Sequence, residues 1–122
     1  MKLLGNELSW IVVKDIEQAL KFYTQVLGFK LDSYEKAHKW AELSSPKGAI
    51  LGICEENLQY GMKAGTNAVA TLTVMNIEEA REHLKKNGVH LEGEIMEVPG
   101  HVKMQTFKDR DGNTFQLAEK LA

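Results

Sequence analysis

At 122 residues the chain has the length of one domain, able to bury roughly two-thirds of the surface it exposes when unfolded. With 43% apolar and 26% charged residues it has the composition of a globular protein, and a net charge of −2 with no long Lys/Arg run excludes the electrostatic footprint of a nucleic-acid binder. One cysteine, Cys54, excludes an internal disulfide, and no stretch reaches the roughly 20 apolar residues that cross a bilayer.

The first apolar run, 8–13, is rich in β-branched and aromatic residues and predicts a strand. A helix follows from Asp15 to about Val26, because Ile16, Ala19, Leu20, Tyr23 and Leu27 recur at the spacing of one buried stripe. Gly28 is placed to end it in a left-handed cap. Strands are expected over 29–34, 39–43 and 49–54, separated by polar turns at 35–38 and 44–48. Residues 55–65 show no period and read as a link. The order then repeats: strand 69–74, helix 76–87, strand 89–97, a Pro99-Gly100 turn, strand 102–107, a tight turn at 109–112 and strand 114–119.

That recurrence is a duplication. Val13-Lys14-Asp15-Ile16-Glu17-Gln18-Ala19 returns as Val74-Met75-Asn76-Ile77-Glu78-Glu79-Ala80, displaced by 61 positions (76 − 15). Asp15 and Asn76 suit the capping position of a helix, and Gln18 and Glu79, three residues on, complete a capping-box pattern. Near the ends of the halves, Gly48-Ala49-Ile50-Leu51-Gly52-Ile53 answers Gly112-Asn113-Thr114-Phe115-Gln116-Leu117, displaced by 64 (112 − 48). The expected fold is α+β, two tandem βαβββ modules at about 5–54 and 66–119 in one domain, with 55–65 between them.

One helix per module covers one sheet face, so alternation assigns the other face. Ile11, Val13, Ala41, Leu43, Leu51 and Ile53 belong under the helix. Leu8, Trp10, Val12, His38, Trp40, Glu42, Ile50, Gly52 and Cys54 belong to the open face. In the second module the open set is Val69, Thr71, Thr73, Met104, Thr106, Thr114, Gln116 and Ala118. Two open, partly apolar faces should curl into a barrel-like cup or pair with another chain's, and their hollow is the natural ligand site.

With these residues the chain resembles the vicinal oxygen chelate superfamily of glyoxalase I, extradiol dioxygenases, fosfomycin-resistance enzymes and bleomycin-resistance proteins. The carriers are Val13-Lys14-Asp15-Ile16, Phe22-Tyr23, Leu27-Gly28-Phe29 and Asp109-Arg110-Asp111-Gly112-Asn113. The resemblance implies a homodimer and a cup for a small molecule. In metal-dependent members it implies His, Gln or Glu ligands seven residues before each helix-starting acid and four after each last-turn glycine. Those positions are Leu8, Gly52, Val69 and Gln116 here. Leu, Val and Gly have no lone pair to offer, and a divalent site needs several N or O donors. A two-residue slip offers Asn6, Cys54, Asn67 and Ala118; a one-residue slip brings Glu7 inward but inverts the buried faces. No metal and no cofactor are expected, and glyoxalase or dioxygenase chemistry, which uses the metal to stabilise an anion, is disfavoured.

The expected function is therefore metal-independent binding of a modest apolar or aromatic ligand. The ligand-binding candidates are Trp10, Trp40, Glu42, Gln116, Thr71, Thr73, Met104 and Tyr60. Each has a plainer reading. The tryptophans could fill a barrel or a dimer seam, and Gln116 could bond a neighbouring strand. Tyr60 and Met62 suit a lid over the cup or ordinary packing. The alternative is a lyase, isomerase or dioxygenase-like enzyme using Glu42 or His38 as acid and base, or one with an unrecognised metal site. His38 and Glu42 otherwise read as rim charges. Cys54 reads as a small buried filler, since no basic residue on its face lowers its pKa. His83 and His90 read as solvated, and His101 as a loop residue or part of an entrance. The start, Met1-Lys2-Leu3-Leu4-Gly5-Asn6-Glu7, is too soon charged for a signal peptide. The expected setting is cytoplasmic, with a small-molecule ligand and without nucleic acid or membrane.

Overall fold

The computed structural model describes residues 1–2, 4, 8–60, 62–66 and 69–121, apart from the side chain of Tyr60. Asn6, Glu7 and Asn67, the slipped-register metal candidates, lie outside the described residues. The chain divides into two compact units, Met1–Ala64 and Gly65–Ala122.

In the first unit the order is β1 (Ser9–Val13), α1 (Ile16–Lys21) running on into a π-helical turn (Phe22–Val26), β2 (Lys30–Glu35), a 3-10 turn (Lys36–His38), β3 (Trp40–Ser44) and β4 (Ile50–Glu55). The strands lie in the sheet order β1-β4-β3-β2, with β1 parallel to β4 and the other pairs antiparallel. The second unit repeats this with β5 (Ala70–Thr73), α2 (Ile77–Lys86), β6 (His90–Val98), β7 (Val102–Lys108) and β8 (Thr114–Lys120), ordered β5-β8-β7-β6. These are the two βαβββ modules that the duplicated sequence predicts. Neither four-stranded sheet closes on itself; each ends on two edge strands.

The repeated residues perform the same local work twice. The Asp15 carboxylate accepts from the Gln18 amide at 3.1 Å, and the Asn76 side chain accepts from the Glu79 amide at 3.0 Å. Both satisfy an amide that the first helical turn leaves without a partner. A second capping device comes from the far end of each module. Glu55, the last residue of β4, accepts from the Ile16 amide at 3.1 Å, and Glu119 on β8 accepts from the Ile77 amide at 2.8 Å. These glutamates are 64 positions apart (119 − 55), the displacement of the last strands. Each ties its helix to its own sheet and places negative charge at the positive end of the helix dipole.

The helices differ by one residue. From cap to glycine is 13 positions in the first unit (28 − 15) and 12 in the second (88 − 76). The extra residue is absorbed as the π turn, where the Leu27 amide reaches back five residues to the Phe22 carbonyl at 3.1 Å. Within the same turn the Thr24 hydroxyl donates to the Leu20 carbonyl four residues back, at 2.7 Å. Both helices then end alike. Gly28 (φ +89°) and Gly88 (φ +71°) take the left-handed conformation, and Phe29 and Val89 donate to Tyr23 and Leu84.

The core lies between each helix and its sheet. Ile11, Val13, Ile16, Ala19, Leu20, Tyr23, Ala41, Leu43, Leu51 and Ile53 are buried in the first unit, and Ile77, Leu84, Phe107, Phe115 and Leu117 in the second. Burying each large member contributes about 1.5–3 kcal/mol. At the centre of β7 the buried inward position is polar. Gln105, 1% exposed, donates to the carbonyls of Glu92, Gly93 and Thr106 and accepts from Arg81 Nε at 2.8 Å. The Glu92 and Gly93 carbonyls lie at the register shift between Glu92 and Met96 in the β6–β7 pairing.

The turn before β8 is a packed polar knot. The buried carboxylate of Asp109 accepts from the amides of Asp111 and Asn113 and from the Asn113 side chain at 2.9 Å. Asn113 in turn accepts from the Gly65 amide at 3.1 Å, fixing the start of the unit to the turn. Among the described residues no helix is long and apolar enough to cross a membrane.

Candidate functional site

The pleat sends alternate residues to the face that neither helix covers, and β-register sets which of them stand side by side. In the first unit one row across the sheet is Trp10, Gly52, Glu42 and Ser33; the next is Val12, Cys54, Trp40 and Glu35. Glycine at position 52 is what lets the two rows merge. A Cβ there would lie 2.5 and 2.7 Å from two carbons of the Trp40 ring and 2.9 Å from Trp10 Cβ, so the Trp40 indole occupies the space a side chain would fill. Leaning across, the indole donates from Nε1 to Glu42 Oε2 at 3.0 Å and meets Trp10 edge to face, with centroids 5.9 Å apart and planes at 66°. Trp10 remains 47% exposed, and Trp40 and Glu42 are half-buried. The structure thus joins three of the predicted site residues into a cluster of two aromatic walls and one carboxylate.

Met62 closes one end of this face. Its sulfur is 3.6 Å from Cys54 Sγ, whose thiol also reaches the Glu55 carbonyl at 3.4 Å. Burial, with the Glu55 carboxylate adding, pushes the Cys54 thiol up from its ordinary value, so it is poorly suited to act as a nucleophile.

His38 does not stand where strand alternation put it. It lies in the 3-10 turn ahead of β3, exposed, with Nδ1 3.0 Å from Glu35 Oε2. The cause is Lys39, which takes a left-handed φ of +51° and breaks the period-2 pattern between positions 38 and 40. His38 and Glu42 are therefore not two members of one strand. Lys39 itself is held by Glu55, Nζ to Oε1 at 2.7 Å; this bond raises the lysine pKa and, outweighing the effect of burial, lowers that of the glutamate.

The second unit's open face carries different chemistry on the same frame. Thr71, Gln116 and Thr106 form the row that matches Trp10, Gly52 and Glu42; Thr73, Ala118 and Met104 form the next. Thr71 and Thr73 are exposed, Gln116, Thr106 and Met104 half-buried, and Ala118 buried. Its central strands offer hydroxyl and amide groups, and its charge lies at the β6 side, where Glu92, opposite Thr106, meets Lys108 at 3.6 Å. His83, His90 and His101 are exposed, His90 Nε2 lying 2.8 Å from Glu92. Tyr60 falls in a 3-10 turn, Leu58–Tyr60; its side chain is outside the described residues.

The positions where a metal would be expected do not fit one. Gly52 has no donor and is roofed by the Trp40 ring; Leu8 and Val69 are aliphatic; Gln116 is the single donor of the four. Among the described residues no three His, Cys, Asp or Glu side chains gather where they could hold an ion. Sequence reasoning missed the glutamates that cap the helices, although their 64-residue displacement was a readable signal. It also missed the Trp40–Glu42 bond, for which two residues on one face of one strand are the only trace.

Residues 6–117 match the family model described as Glyoxalase/Bleomycin resistance protein/Dioxygenase superfamily. Among solved structures, a member of that superfamily from Sphaerobacter thermophilus is 25% identical, with a TM-score of 0.78 over 97% of this chain and 100% of that one. A genomically encoded fosfomycin resistance protein, FosX, from Listeria monocytogenes, complexed with Mn(II) and sulfate, is 19% identical, with a TM-score of 0.78 over 98% and 92%. TnmS3, an antibiotic binding protein from a Streptomyces species, is 24% identical, with a TM-score of 0.75 over 98% of both. No curated protein sequence matches the chain.

Proposed function

This chain belongs to the glyoxalase/bleomycin resistance protein/dioxygenase superfamily, and we propose that within it the protein binds a small apolar or aromatic molecule without a metal ion. The observation that carries the reading is the face built by Trp10, Trp40 and Gly52. A strand position that could have held a ligating side chain is instead a glycine, and the vacated space holds an indole. Aromatic side chains give a flat guest a large contact area at small entropic cost. The fold does not choose between chemistries on its own. It is shared by a manganese-complexed fosfomycin resistance protein and by an antibiotic binding protein. The donor set of this chain favours the second kind of behaviour. On this reading Thr71, Thr106 and Gln116 supply hydrogen bonds to guests on the second face.

The test is a titration with quinoline at about pH 8 in the presence of a chelator, followed by tryptophan emission. A saturable change that persists in chelator and is lost in Trp40→Leu is expected. Binding that requires added manganese, zinc or iron would refute the metal-free reading, and absence of saturable binding would refute the site.

A further inference from the structure

We propose that the guest of the first unit's open face is an organic cation, a quaternary or aromatic ammonium group, seated in the angle between Trp10 and Trp40 with Glu42 as its counter-charge. The inference rests on the reading that this face binds a small molecule, and it adds the guest's charge.

Three observations lead to it. The two ring planes meet at 66° with centroids 5.9 Å apart, which gives a corner with aromatic walls on two sides, and the face of an indole attracts positive charge more strongly than any other side-chain ring. Glu42 stands on the Trp40 side of that corner, across Gly52 from Trp10, with one oxygen bonded to the Trp40 N–H. An ionised carboxylate only accepts hydrogen bonds and has capacity beyond that one. The same bond fixes the ring and polarises it toward greater electron density. Finally, the eight residues of the two rows contain two charged groups, Glu42 and Glu35, both acidic. Glu35 is met by His38 and the neighbouring Lys39 is spent on Glu55, whereas Glu42 takes part in no ion pair among the described residues. A half-buried carboxylate without a cation beside two indoles is a site with one partner missing. The matching rows of the second unit run Thr71–Gln116–Thr106–Glu92 and Thr73–Ala118–Met104–Met96; their one carboxylate, Glu92, already meets His90 at 2.8 Å and Lys108 at 3.6 Å, so the preference belongs to the first unit.

The experiment compares N-methylquinolinium with quinoline, which differ by a methyl group and one positive charge, at about pH 8. The readout is the chemical shift of the Trp40 indole N–H, in the wild type and in Glu42→Gln, whose amide oxygen can still accept from that N–H. The wild type is expected to bind N-methylquinolinium roughly tenfold more tightly than quinoline. In Glu42→Gln the preference should shrink to about twofold or less. Equal binding of the two probes by the wild type, or a preference that survives in Glu42→Gln, overturns the cation inference and leaves small-molecule binding standing. Saturable binding of neither probe overturns both.

Discussion

Adding a single methyl group at Gly52 tests the architecture of the site directly. The new carbon of Gly52→Ala would lie 2.5 and 2.7 Å from Cη2 and Cζ2 of Trp40 and 2.9 Å from Trp10 Cβ. Carbon atoms prefer about 3.5–4.0 Å, so all three approaches are short by roughly an ångström. Trp10 Cβ is fixed to the backbone of the neighbouring strand, which leaves the Trp40 ring to move, and moving it gives up the 3.0 Å bond to Glu42. Overpacking of this kind costs about 1–3 kcal/mol. The lost bond to a charged acceptor adds about 1 kcal/mol once its partial exposure is allowed for. Against this, the less flexible unfolded chain returns about 0.4–1 kcal/mol. The net expectation is a loss of about 1–3 kcal/mol, read by urea denaturation with far-UV circular dichroism, together with a changed near-UV tryptophan spectrum. Each kcal/mol lowers Tm by roughly 3–6 °C in a domain of this size. In a Trp40→Leu background the same substitution should cost clearly less, since the obstructing ring is gone and only the approach to Trp10 Cβ remains. A Gly52→Ala protein as stable as the wild type, with an unaltered tryptophan spectrum, would refute the claim that the indole occupies the glycine's vacancy.

Two further predictions concern the frame. Glu55 has its pKa lowered below the ordinary 4.5, chiefly by Lys39 and with help from the Ile16 amide. Its contribution is therefore present above about pH 4.5 and lost as pH falls through the lower folded value. Glu55→Gln should be less stable than wild type near neutrality, with the difference vanishing in acid; a constant difference across denaturation curves from about pH 2 to pH 7 would disprove the linkage. Asn113→Ala removes a buried partner of both Asp109 and the Gly65 amide, and an equilibrium loss of about 2–3 kcal/mol is expected. A loss under about 1 kcal/mol would mean that the knot is not structural.

Much of the scaffold was legible because two periodicities rarely mislead over long segments. The inward residues of β1, β3 and β4 are buried as the alternation requires, and the Asp15 and Asn76 caps, Gly28 and Gly88 stand where the residue types place them. Misreading came where one residue changes the count. Lys39 in a left-handed conformation displaced His38 from the strand, and no glycine or proline marks that position. The π turn was recoverable in principle from the unequal cap-to-glycine spacings. Gln105 breaks the apolar rule for an inward residue because the irregular β6–β7 pairing supplies carbonyls for it, a compensation with no local sequence sign. At the site, alternation put Trp10, Trp40 and Glu42 on one face. Only the glycine between them explains why an indole crosses to the carboxylate.

The glutamates that end the last strands have a consequence for how such a protein diversifies. Glu55 and Glu119 secure each helix from the strand that also carries Gly52 or Gln116, a few residues away and on the opposite side of the pleat. Anchoring and recognition are thus interleaved along one short segment without sharing an atom. A copy of the module can exchange an indole corner for a row of hydroxyls by point changes alone, and the helix above it never registers the edit.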